Sequence, residues 1–284
     1  MPVEPPVESA SSLNDAYRLL TAGLLRPIAG GTDLMVQITG ELGEAPDRLL
    51  DVWRLEELRG IAIEGDELVL GALTTYTEIR RSPLVTEFVP ALSDAAATIG
   101  AAQIQNRGTL GGNIANASPA GDTLPLLLAL DAAIIAGSSR GERTISATSF
   151  WTGYRRTALA ADELVLRIRI PLVGGRQVRF RKVGTRRAQA ISKVVMALAW
   201  RSAVDGRWND VRLALGSVAE RPVRAWETEQ LLEGALPSEE VADQAMASLA
   251  AEIEPIDDVR STAAYRRAVA SRVLHRLIRV EGDW

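Results

Sequence analysis

The chain has 284 residues, 47% of them apolar and 24% charged, the balance of a globular protein with room for roughly two domains. These proportions exclude a disordered tail, a coiled coil and a collagen-like chain. A formal net charge of −4 gives no overall pull toward phosphate backbones. With no cysteine and a single histidine, His275, the chain can build no disulfide, zinc-thiolate site, iron–sulfur cluster or histidine metal cage of its own.

The opening Met1-Pro2-Val3-Glu4-Pro5-Pro6 lacks the apolar core of a secretory signal. A helix is predicted over residues 12–20, with Leu13, Ala16, Tyr17 and Leu20 on one face and Ser12 as its cap. The turn-rich stretch 27–34 follows. Residues 66–70 read as the end of a strand, closed by Gly71. An alanine-rich helix is expected between Pro90 and Ala102, with Leu92, Ala95, Ala96 and Ile99 facing inward. A strongly apolar helix is expected over 123–132, with Pro125 near its start, where a missing N–H costs little. The longest apolar run, 124–136, is broken by Asp131 and too short to span a bilayer.

Residues 164–171 alternate apolar and basic side chains, the pattern of a half-buried strand stopped by Pro171. Gly174-Gly175 then supplies a hinge or hairpin. Strand-like runs follow at 178–183 and 194–200 and, after a turn at Asp205-Gly206, at 211–215. Helices over 238–252 and 262–280 close the chain, and His275 belongs structurally to the last of them. The order is mixed α+β with no repeating βα alternation, and the domain boundary falls near Gly174. The expectation is a soluble cytoplasmic protein with no membrane insertion and no nucleic-acid partner.

Two glycine pairs carry the chemical signal: Gly30-Gly31, and Gly111-Gly112 within the stretch from Gly108 to Asn113. Adjacent glycines open conformations closed to other residues and expose N–H groups, so such turns can cradle phosphate oxygens; two ordinary tight turns are the alternative. From Ala95 to Gly121 the only charge is Arg107, beside five glycines and three asparagines. A loop of that composition is expected to lie against a large polar group, such as a cofactor, rather than in solvent. Asp122 closes this segment, either as the cap of the following helix or as an acceptor for ribose hydroxyls.

Neither pair is a G-x-G-x-x-G, and no P-loop is present. Residues 164–204 hold ten basic and no acidic residues, densest at Arg179, Arg181, Lys182, Arg186 and Arg187. That pattern is either a solvated strand face or a functional cluster. The chain has thirty arginines and two lysines, so Lys182 inside an arginine cluster suggests a place where the guanidinium fork does not fit.

Three blocks, Ala29-Gly30-Gly31-Thr32-Asp33-Leu34, the stretch from Gln103 to Ala115, and Ser118-Pro119-Ala120-Gly121-Asp122, resemble the FAD-binding (medium) subunit of the molybdenum hydroxylase family, which includes xanthine dehydrogenases and aerobic carbon monoxide dehydrogenases. The resemblance continues through Asp162-Glu163-Leu164-Val165, Ile168-Arg169-Ile170-Pro171, Arg181-Lys182-Val183-Gly184-Thr185-Arg186 and Leu215-Gly216-Ser217-Val218-Ala219. It implies an FAD-binding region of two α+β subdomains (about 1–55 and 56–173), like that of the vanillyl-alcohol oxidase superfamily. A C-terminal domain of a small antiparallel sheet and helices (174–284) would follow.

By position, the resemblance implies that Ala29 to Leu34, with Thr109, Gly112, Asn113 and Ala115, wrap the FAD diphosphate. Asp122 would hold a polar group of the cofactor, and Ile99 would pack against the flavin. Val165 or Leu166 would meet the adenine end, and Lys182 would reach the isoalloxazine ring. Many relatives carry arginine where Gln105 stands, with Arg107 displaced by two, so neither receives a role. The cysteine-bearing insertion of hydroxybenzoyl-coenzyme A reductases is absent.

The implied function is an electron-transfer subunit with no catalytic acid or base and no metal of its own. It would take electrons from [2Fe–2S] clusters in a small subunit, reduced at the molybdenum cofactor of a large one, and pass them to NAD, oxygen or another acceptor in a dimer of heterotrimers. A self-sufficient FAD-dependent oxidoreductase and a non-redox nucleotide-binding module are the alternatives.

Overall fold

Parallel strands cannot be joined by a tight turn, so the chain begins by building a crossover. The computed structural model describes residues 5–23, 25–40, 44–186 and 189–283; Met1 to Glu4 and Arg187 lie outside the described residues. Strands β1 (Val7–Ser9), β2 (Arg26–Ile28) and β3 (Leu49–Asp51) form a parallel sheet in the order β1-β3-β2. The helix Leu13–Ala22 links β1 to β2 and buries Ala16, Tyr17 and Leu20, the face its spacing predicts, while the Ser12 hydroxyl accepts from the Asp15 N–H.

The second sheet is antiparallel and is built from β4 (Ile61–Glu64), β5 (Glu67–Gly71), β6 (Ala133–Ser138), β7 (Gly141–Ser146) and the later β10 (Leu164–Pro171), in the order β4-β5-β10-β6-β7. Between β7 and β10 lies a short hairpin of β8 (Trp151–Gly153) and β9 (Arg156–Thr157). Strand β10 (Leu164–Pro171) has the predicted alternation, with a bulge between Val165 and Arg167. Leu164 and Leu166 join the core beneath the first sheet, whereas Val165, Ile168 and Ile170 join the core of helices on the other side.

The third sheet is again antiparallel: β11 (Arg176–Val183), β12 (Val194–Ser202), β13 (Trp208–Gly216) and β14 (Val223–Arg224), paired in that order. Strand β12 reads as an unbroken apolar run because both its faces are covered. Val194, Met196, Leu198 and Trp200 pack under the C-terminal helices Glu239–Glu252 and Ala263–Gly282. The alternate residues Val195, Ala197 and Ala199 pack on the helix Leu124–Ala129. Three alanines, Ala197, Ala199 and Ala214, let that helix sit close to the sheet. The Gly174-Gly175 turn therefore changes sheets rather than closing a hairpin, since β10 and β11 pair with different partners.

Several predicted elements are shorter than expected. The alanine-rich helix stops at Ala97, because Gly100 turns left-handed (φ 52°). The apolar helix stops at Ala129, and Asp131 (φ 53°) accepts from Arg212 and Arg224 and approaches Arg176, tying this turn to three strands of the third sheet. His275 faces Asp243 of the neighbouring helix, a structural placement. Among the described residues no helix is long and apolar enough to cross a membrane.

Candidate functional site

Where the three sheets meet, the chain leaves a cleft of about 1670 Å³. Its first wall is the loop between β2 and the helix Leu34–Thr39. Among the described residues, no backbone N–H from Ala29 through Leu34 donates a hydrogen bond within the chain. A row of unengaged amides is costly unless water or a ligand accepts from it. Gly31 holds the left-handed φ of 76° that bends the row. Gly30 serves closeness: a Cβ there would lie 1.7 Å from the Arg107 carbonyl oxygen, so only glycine lets the two glycine-bearing segments touch.

The second wall is the other glycine segment, and it is a helix rather than the expected loop. Thr109 caps the helix Leu110–Asn116, its hydroxyl accepting from the Gly112 N–H at 3.1 Å. Gly111 is required by packing, since a Cβ would lie 2.7 Å from the Ala72 oxygen. Gly112 meets only the Thr109 hydroxyl and otherwise faces the cleft with Asn113 and Ala115. Gln105 is buried and receives the Arg80 guanidinium (2.6 Å) while donating to the Ile99 carbonyl (3.0 Å), which fixes the turn carrying Ile99. Arg107 stacks on the Trp53 ring at 3.8 Å and ties the second wall to the turn that follows β3.

The third wall comes from the C-terminal half. The Lys182 ammonium lies 2.6 Å from the Asp122 carboxylate and 3.1 Å from the Thr98 carbonyl, with both side chains almost wholly buried. Asp122 is therefore not a helix cap; Thr123 takes that position. Ser192 donates to the second Asp122 oxygen, and the Ser217 hydroxyl donates to the Ser192 carbonyl at 3.0 Å. Arg266 continues the network through the carbonyls of Ser217 (2.8 Å) and Lys193 (3.2 Å) to the Asp258 carboxylate (2.6 Å).

Burial raises the Asp122 carboxyl above its ordinary range, against the pull of Lys182 and Ser192. Asp33 opens onto the cleft yet is surrounded by enough protein for desolvation to raise it too, opposed by the charge of Arg155. Tyr76, buried between these carboxylates, has its phenol pushed well above the usual value by desolvation and then by Asp33 and Asp122.

Every site residue named from the sequence lines this one cleft except Leu166. Leu166 lies on the opposite side of β10 from Val165 and is buried against the first sheet, so only Val165 reaches the cleft. Sequence reasoning missed Tyr76, Ser192, Arg266 and the Thr98 carbonyl. One signal was available: Lys182 lies in a 41-residue stretch without an acid, so a buried ammonium there had to find its carboxylate elsewhere.

Residues 3–173 match the family described as the FAD binding domain in molybdopterin dehydrogenase, and residues 179–280 match the CO dehydrogenase flavoprotein C-terminal domain. The glyceraldehyde dehydrogenase medium chain of Sulfolobus acidocaldarius is 34% identical, over 92% of each chain. The nicotinate dehydrogenase FAD-subunit of Eubacterium barkeri is 30% identical, over 95% of this chain and 92% of its own. A carbon monoxide dehydrogenase chain from Hydrogenophaga pseudoflava superposes with a TM-score of 0.93 at 30% identity, covering 97% of this chain and 96% of its own.

Proposed function

Because the chain belongs to the family of FAD-binding subunits of molybdopterin dehydrogenases, we propose that it is the FAD-carrying electron-transfer subunit of a cytoplasmic, multi-subunit molybdenum hydroxylase. In that assembly a small subunit with [2Fe–2S] clusters delivers electrons, a large subunit holds the molybdenum cofactor, and NAD, oxygen or another acceptor takes the electrons away. The absence of cysteine supports this division of labour, since clusters must be ligated by another chain. Medium chains of named dehydrogenases at this similarity support it as well.

The observation that carries the reading is the row of unengaged amides from Ala29 to Leu34 at the wall of a cleft large enough for a dinucleotide. The residues fit the group: such a row donates to an anionic bridge, Gly112 leaves room beside it, and Val165 offers an apolar surface. FAD, when bound, supplies one- and two-electron redox chemistry. Lys182, held by Asp122 and the Thr98 carbonyl, presents a positive charge at a fixed place. A cation by the pyrimidine end of a flavin favours its reduced, anionic state. The chain binds, orients and tunes.

The test is purification of the chain from its native host with whatever accompanies it. Stoichiometric FAD, with a large molybdenum-bearing chain and a small cysteine-rich one, is the expected result. A colourless preparation, or a chain with no partners, overturns it.

A further inference from the structure

The cleft holds five cations among the described residues: Arg26, Arg155, Lys182, Arg260 and Arg266. Three already serve a carboxylate, Lys182 on Asp122 and both Arg266 and Arg260 on Asp258. Arg26 begins β2, so Pro27 and Ile28 separate it from the amide row. Arg155 is different. It stands at the tip of the β8–β9 hairpin in a left-handed conformation (φ 51°), and no described carboxylate lies within ion-pair distance of it. Its guanidinium donates to the Asn116 side chain at 3.1 Å, at the end of the helix that carries Gly112 and Asn113. Its charge is also the one felt by Asp33, within the amide row. A guanidinium outside any close ion pair thus lies between Asp33 of the first glycine segment and Asn116 at the end of the second.

We propose that Arg155 is the counter-cation of the cofactor's diphosphate, reaching from the β8–β9 hairpin across the mouth of the cleft to the anion cradled by residues 29–34. The inference rests on the FAD reading above and adds to it a residue on a separate element. A guanidinium fork suits paired phosphate oxygens. It also offsets Asp33, whose carboxylate otherwise opposes an anion at this place. The Asn116 contact orients the fork before the ligand arrives. Neighbouring Tyr154 is 61% exposed, so the hairpin tip stands outside the core and tolerates substitution.

The experiment measures FAD affinity of the full-length chain at low and high salt for wild type, Arg155→Gln, Arg155→Lys and Asn116→Ala, with folding checked by circular dichroism. Loss of one charge-assisted contact at an exposed site is expected to weaken FAD binding about tenfold in Arg155→Gln and to flatten its salt dependence. Arg155→Lys should recover part of the affinity and all of the salt dependence, and Asn116→Ala should cost less than Arg155→Gln. Wild-type affinity in Arg155→Gln overturns the proposal, as does an equal loss in Arg155→Gln and Arg155→Lys with unchanged salt dependence. A folded wild-type chain that binds no FAD removes the parent reading instead, and this inference with it.

Discussion

Gly30→Ala is the sharpest perturbation the site offers. The added methyl carbon would sit 1.7 Å from the Arg107 oxygen and 2.4 Å from its carbonyl carbon, against the 3.4 Å or more of ordinary contact. The two backbones must therefore separate by about 1.7 Å. The Arg107–Gly108 side does not yield easily. Arg107 is stacked on Trp53, the Gly108 N–H is bonded to the Ile104 carbonyl, and the Gly108 carbonyl accepts from the Tyr76 N–H. Overpacking of this kind costs about 1–3 kcal/mol, and fixed partners place this site toward the upper end. The same displacement moves the amide row, and losing one or two charge-assisted contacts weakens FAD binding by about tenfold to hundredfold.

Urea denaturation of the FAD-free chain reads the first effect and flavin titration the second. Gly174→Ala serves as control, since nothing lies within 4 Å of a Cβ there and its φ is not positive. If Gly30→Ala matches Gly174→Ala in both assays, the close approach of the two segments is not what makes glycine necessary.

Two other outcomes follow from the buried pair. Lys182→Met should lower the FAD midpoint potential and also destabilise the fold by about 3 kcal/mol, because Asp122 is left buried without its cation; spectroelectrochemistry and denaturation read the two effects. For Ser192→Ala the prediction is a pH dependence. Burial raises Asp122 above 3.8, so the folded state holds that proton more tightly than the unfolded one, and stability falls as pH rises from 3.8 through the raised value. Removing the Ser192 donor deepens that fall. Variant and wild type should agree in stability below about pH 4 and differ by about 1–2 kcal/mol at pH 7, and a difference independent of pH would refute the assignment.

Much of the architecture was legible because period-2 and period-3.6 patterns are local. The face of the Leu13–Ala22 helix and the alternation of β10 need only the residues themselves. The β6–β7 hairpin escaped notice because Ala133–Ser138 follows an apolar helix with a single polar residue between them, the left-handed Asp131. Gly111-Gly112 looked like a turn because glycine disfavours helices, but the close approach of Ala72 overrides that preference. The glycines drew attention to the cleft for a partly different reason, contact between segments as much as open space beside them. Asp122, Lys182 and Ser192 belong to segments separated by 60 and 70 residues, and no local pattern encodes their meeting.

The position of the phosphates decides the assignment. An electron-density map of the FAD-loaded chain should show the diphosphate accepting from the amides between Ala29 and Leu34, with the ring toward Lys182. Those amides facing solvent or protein, with the flavin bound elsewhere, would contradict it.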